Sequence, residues 1–112
     1  MALGMIEMFG YTTAILAADA AAKAGDVRIV AIDHNKPVDP NAAPIPVVMV
    51  VKMEGGVSEV ETAMEAGIRS AKEKDLYITS HIISRQEADT EKLAHLCALG
   101  RDKLRQTGSN GQ

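Results

Sequence analysis

The sequence predicts an α+β fold: a ferredoxin-like split βαβ sandwich, a four-stranded antiparallel sheet with two helices on one face, plus a C-terminal helix. Three observations carry this. The predicted elements run strand, helix, strand, loop, strand, helix, strand, helix, so the strand-helix-strand theme occurs twice. A tract from Asn35 to Pro46 (NKPVDPNAAPIP) parts the two halves and holds all four prolines of the chain. Aromatic residues are only 3% of the sequence, with no Trp, so the core must come from Ala, Val, Ile, Leu and Met and from close backbone packing.

Each element has its own warrant. Ala2 to Phe9 (ALGMIEMF) is short, mostly apolar and followed by Gly10, which suits a buried strand. Tyr11 to Ala24 is rich in alanine, the best helix former. Lys23 in its last turn complements the helix dipole, and Gly25 suits a left-handed stop. Val27 to Asp33 (VRIVAID) alternates, with Val27, Ile29 and Ala31 on one side and Arg28, Val30 and Ile32 on the other. Val47 to Met53 (VVMVVKM) is β-branched and apolar, and Gly55-Gly56 breaks it. Val57 to Lys74 reads as a second helix, with Val57, Val60, Met64, Gly67, Ile68 and Ala71 in one stripe. Ser58 and Glu61 have capping-box spacing, and Gly56 is the other candidate cap. Leu76 to Ile83 (LYITSHII) returns to strand character. Residues 87–106 read as a third helix, acidic early and basic late, and 107–112 (TGSNGQ) as a flexible tail.

The totals bound the function. A chain of 112 residues with 46% hydrophobic content suits one domain, 1–106, small enough that oligomerisation would help bury its apolar surface. A net charge of −3 with interspersed signs gives no basic surface for nucleic acid or an anionic membrane. The single cysteine excludes an internal disulfide and fits a reducing compartment. No basic segment followed by a long apolar core opens the chain, so no signal peptide is expected. No apolar run reaches the ~20 residues of a membrane span.

No catalytic constellation stands out, so no enzyme activity and no cofactor are expected. Nucleophile-elbow, zinc-protease, phosphate-loop and dinucleotide motifs are absent. His34, His81 and His95 are scattered. His95 and Cys97, two apart on a helix, point to different faces and make a poor metal pair. Met5, Met8, Met49, Met53 and Met64 suit core filling. Glu59, Glu61, Glu65, Arg69, Lys72 and Glu73 form a solvated helix face.

Three stretches carry a resemblance. Ala2-Leu3-Gly4-Met5-Ile6-Glu7, Gly10, Ala14-Ile15, Ala17-Ala18-Asp19-Ala20 and Lys23-Ala24 form the first. Gly55 with Val57-Ser58-Glu59-Val60 and Ala66-Gly67 form the second, and His81-Ile82-Ile83-Ser84-Arg85 the third. Together they resemble the bacterial microcompartment shell domain. The resemblance implies a cyclic homohexamer that tiles edge to edge, with other shell proteins, into a shell in the bacterial cytoplasm. Such shells enclose metabolic enzymes and restrict escape of small, often aldehyde, intermediates. It places Lys23, Asp26 and Arg85 at the hexamer–hexamer edge, Asp26 standing where many members have Asn. It places the loop between the second and third strands on the sixfold axis, as the lining of a pore for small metabolites. Here that loop is Asn35, Lys36, Pro37, Val38, Asp39, Pro40, Asn41, Ala42, Ala43, Pro44, Ile45 and Pro46.

The chain departs from the pattern at this loop. The short Gly-rich pore turn is absent, and the proline tract is longer than the ~4–6 residues typical of a connection. Ser84 and Gln86 replace prolines flanking the arginine, and Glu54 stands where a basic residue is common. In a ring, Lys36 would favour anions and Asp39 would oppose them. A rival from another class is an oligomeric ferredoxin-like ligand-binding regulator with the loop as sensor. It explains fold and loop but not the first motif. An acylphosphatase-like enzyme would need an anion site that Phe9-Gly10-Tyr11-Thr12 does not offer.

Overall fold

A computed structural model describes residues 1–39 and 41–84. The elements are β1 (Ala2–Phe9), α1 (Tyr11–Ala24), β2 (Val27–Asn35), β3 (Val48–Gly55), α2 (Val57–Glu73) and β4 (Tyr77–Ile83). The sheet order is β2-β3-β1-β4, and every neighbouring pair is antiparallel. Each helix therefore crosses over one inserted strand: α1 links β1 to β2 across β3, and α2 links β3 to β4 across β1. This is the split βαβ sandwich that the alternating pattern predicts. The expected helix over 87–106 and tail over 107–112 lie outside the described residues.

Strand pairing sorts the side chains between two faces. Ile6 pairs with Val51, Met8 with Met49 and Gly4 with Met53. Ile6, Met8, Met49, Val51 and Met53 are all buried in one cluster with the small residues of α1 and with Val60, Ala63 and Met64 of α2. Of the five methionines expected to fill gaps, Met5 is the exception: it pairs with Lys52 and faces away from the helices.

The alternation in β2 does not persist. Ile29 pairs with Met53 but Ala31 pairs with Lys52, so Val30 is an extra residue that shifts the register. Such a bulge inverts the faces beyond it. Ile32 and His34 consequently join Val27 and Ile29 on the helix side, while Ala31 and Asp33 turn to the other. A strict period of two assigned Ala31 and Ile32 to the wrong sides.

Glycines set the layer spacing. Gly25 is extended (φ −137°, ψ 157°), not left-handed, so the expected stop geometry does not apply. Its role is contact: a Cβ there would lie 2.5 Å from the Glu59 carbonyl oxygen of α2. At Gly67 a Cβ would meet Ile6 Cδ1 at 2.8 Å and the Ala17 carbonyl oxygen at 3.2 Å. Of the two candidate caps for α2, Gly56 is the one used, and no side chain caps it. Ser58 is already helical, its carbonyl accepting from Thr62 Oγ1 at 3.0 Å. The nearby carboxylate that closes this corner is Glu59, which accepts from the Asp26 amide at 2.7 Å.

Gly25→Ala tests this reading. Extended backbone suits alanine, so any loss comes from the helix contact alone. The expected cost is about 1–3 kcal/mol, typical of overpacking, read as a lower urea midpoint at unchanged slope.

Candidate functional site

The loop leaves the sheet where Asn35 faces Val48 across the last β2–β3 pair. Sequence reading ended the strand at Asp33; pairing carries it to Asn35, because the prolines begin only at Pro37. The remaining loop is anchored at its return. The Gly10 amide donates to the Val47 carbonyl at 2.9 Å, and Gly10 sits at φ +92°, a conformation that disfavours side chains. Ile45 Cδ1 lies 3.1 Å from where a Gly10 Cβ would be, so Ile45 closes over the start of α1.

The outer part of the loop is ordered by Asp39. Its carboxylate accepts from the Asn41 amide at 3.1 Å, and its carbonyl accepts from Ala42 at 3.1 Å and Ala43 at 3.2 Å. This is an Asx turn. Asn35 does the same work at the base, accepting from the Lys36 amide at 2.9 Å. Lys36, Val38 and Asp39 are exposed. Among the described residues Val38 is the most exposed of the large apolar ones, at 106%. Pro37, Ala43 and Ile45 are half-buried, and Pro40 lies outside the described residues. Beside the loop base the Tyr11 and His34 rings lie 6.3 Å apart at 45°.

Lys23 and Asp26 lie at the other end of the sheet. β2 spans nine residues between Val27 and Asn35, roughly 26 Å at ~3.3 Å per residue. Lys23 is exposed and pairs with Asp19 one turn earlier at 2.8 Å. The Asp19 carboxylate, by hydrogen bond and then by charge, holds the lysine above its ordinary pKa of 10.5. The lysine is therefore charged at neutral pH and gives up its proton only as pH climbs through that raised value. Arg85 lies outside the described residues.

A third feature escaped sequence reading. Lys52, Glu54 and Asp33 are buried on the sheet face away from α1 and α2, at 0%, 4% and 3% exposure. Lys52 Nζ lies 3.8 Å from Asp33, and Arg28 reaches Glu54 at 3.2 Å. The available signal was the i, i+2 spacing of Lys52 and Glu54 in an otherwise apolar strand, which puts both on one face. The bulge at Val30 then brings Asp33 to that face.

Apolar side chains also remain exposed along both lateral edges. On the β2 side are Tyr11 (55%), Ile15 (61%) and Ile32 (40%); on the β4 side are Ile78 (37%) and Ile82 (40%). Among the described residues no cluster of His, Cys, Asp and Glu could hold a metal, and no helix is long and apolar enough to cross a membrane.

Comparison with known proteins places this geometry in context. The BMC domain family model matches residues 2–86. The bacterial microcompartment shell protein PduA of Citrobacter freundii is 34% identical over 92 residues, covering 82% of this chain and 89% of PduA. Carboxysome shell protein CcmK3 of Halothece sp. is 37% identical over 73 residues, covering 65% of this chain and 63% of CcmK3. A crystal structure of a microcompartment protein from Desulfitobacterium hafniense DCB superposes with TM-score 0.68 at 31% identity. The match covers 81% of this chain and 47% of that one, so the chain spans about half the length of this structural relative.

Loss of the buried lysine should cost more than loss of the exposed arginine. Lys52→Met takes the lysine cation away from the buried Asp33 carboxylate and should cost about 3–5 kcal/mol. Arg28→Ala removes a side chain that is 70% exposed from a carboxylate that is 4% exposed and should cost less, about 1–3 kcal/mol. Urea unfolding of the two variants checks the contrast.

Proposed function

The chain belongs to the BMC domain family, and on that premise we propose that it is a structural protein of a bacterial microcompartment shell: a cyclic homohexamer that tiles into a sheet and gates small metabolites through a central pore. One observation supports it above the others. The fold separates the loop and the Lys23–Asp26 corner by the full length of β2, as a tile needs if one end meets the axis and the other meets its neighbours.

The lateral edges favour the same assembly. The β2 edge and the β4 edge are different surfaces on opposite sides of the sheet. A patch that meets a different patch makes a head-to-tail contact, which closes into a ring when the rotation allows. Burying Tyr11, Ile15 and Ile32 of one copy against Ile78 and Ile82 of the next would remove from water the apolar surface a small domain leaves exposed. The bulge at Val30 and the register shift in β4 blunt strand-to-strand pairing at both edges, so side-chain contact is the better mode.

At the tile edge, Lys23 is held upright by Asp19 and stays charged, next to the exposed Ala22 and Ala24. A cation over small residues lets helix ends approach closely while donating to carbonyls across the contact. Other shell proteins and encapsulated enzymes are partners on this reading, and the shell in the bacterial cytoplasm is its location. The regulator reading explains neither the shell-protein relatives nor Lys23. The same relatives support a structural role.

Negative-stain electron microscopy and native mass spectrometry test the proposal. The protein should give hexamers that grow into sheets or tubes with concentration. Lys23→Ala should abolish the sheets, spare the hexamer and leave the melting temperature unchanged. A discrete small oligomer with no sheets, stabilised by an added nucleotide or metabolite, would support the regulator instead.

A further inference from the structure

We propose that the loop tip forms an apolar constriction that passes small uncharged molecules and turns ions back; this rests on the ring reading above. We assign the tip to Val38, a fully exposed valine where the loop enters the Asp39 turn. An isolated loop gains nothing by presenting valine to water. In a ring, six such tips form one apolar collar, and apolar collars exclude ions because the ion must shed water without replacement ligands.

The charges beside Val38 do not offset this. Lys36 and Asp39 are the only charged residues from Asn35 to Pro46, so each loop is net neutral. The Asp39 carboxylate is exposed but held in place by the Asn41 amide, which donates to it. Lys36 sits at the loop base, its amide tied to Asn35, one residue beyond the sheet. The ring thus carries equal numbers of both signs with the valine between them, which favours neither anions nor cations. The prolines stiffen the segment, so the tip has few conformations in which to retreat.

Cross-linking reads whether the tips converge. In a regular hexagon the spacing of neighbours equals their distance from the axis. A disulfide requires Cα atoms within about 7 Å, so cross-linking places the tips within about 7 Å of the axis. Val38→Cys in a Cys97→Ser background, oxidised with diamide as assembled rings, should run mostly as covalent dimers under denaturing conditions. Rings that stay intact without cross-linking would overturn the constriction and leave the shell reading standing. Absence of rings would overturn both. Permeation reads selectivity: sheets grown over a platinum electrode should pass hydrogen peroxide freely and nitrite poorly. Val38→Lys should raise the nitrite current about tenfold by drawing anions into the collar. Equal currents for both probes in the unaltered protein, or no current for either, would overturn the proposal.

Discussion

The structure depends on how closely two helices can lie on one sheet when almost no large side chains are available. Aromatic residues are 3% of the chain, so the space between layers is filled by methionine, valine and alanine rather than by rings. That works only if backbones approach. Ala14, Ala17, Ala18 and Ala21 turn the inner face of α1 into a smooth surface. Gly67 and Gly25 remove the side chains that would otherwise strike α1 and α2, and Gly4 lets Met64 and Val60 settle onto β1. Burying a methionine or valine of this kind contributes about 1.5–3 kcal/mol, so contact quality across this thin layer decides whether the domain holds.

A thin two-layer domain leaves much of its perimeter exposed. Both lateral edges carry isoleucines in water, and a domain of this size gains stability by covering them. The closeness of the layers and the exposure of the edges therefore share one cause. The buried Lys52, Asp33 and Glu54 add a different ingredient. Such groups seldom contribute net stability over an apolar packing, but they oppose any register that would leave a charge unmatched. The register they hold is the one that ends β2 at Asn35 and sets the start of the loop.

Much of this was legible in the sequence. Alanine richness gave Tyr11 to Ala24 without error in its bounds, and the apolar run between Met1 and Gly10 gave β1. Alternation failed in β2 because a bulge has no local sequence mark: Val30 looks like any strand valine. Gly25 was misread because a glycine after a helix has two uses, and only the position of Glu59 distinguishes a close contact from a left-handed stop. The loop was legible as a break, from its prolines, but its internal order was not. That order depends on which carboxylate meets which amide, and Asp39 could have bonded elsewhere. The buried charges were missed because Lys52 ends an apolar run, where a lysine ordinarily marks the return to solvent.

The separation of loop from edge has a consequence for how such a tile can vary. The loop enters and leaves through one pair, Asn35 opposite Val48, and is pinned at its return by Gly10 and Ile45. Residues between those anchors can change without disturbing the register behind them. Lengthening a flexible loop is cheap, about 0.6 kcal/mol for each doubling, and prolines reduce the loss further by restricting the unfolded chain. The far corner is not free in this way: Gly25 lies against Glu59, and the Asp26 amide donates to the Glu59 carboxylate. Substitution there moves the junction of both helices with the sheet. The Gly25–Asp26 end is thus the constrained one, and the loop end is the tolerant one. A proline tract of twelve residues can replace a short glycine turn because it hangs from a register that β1, β3 and the helix contacts already hold.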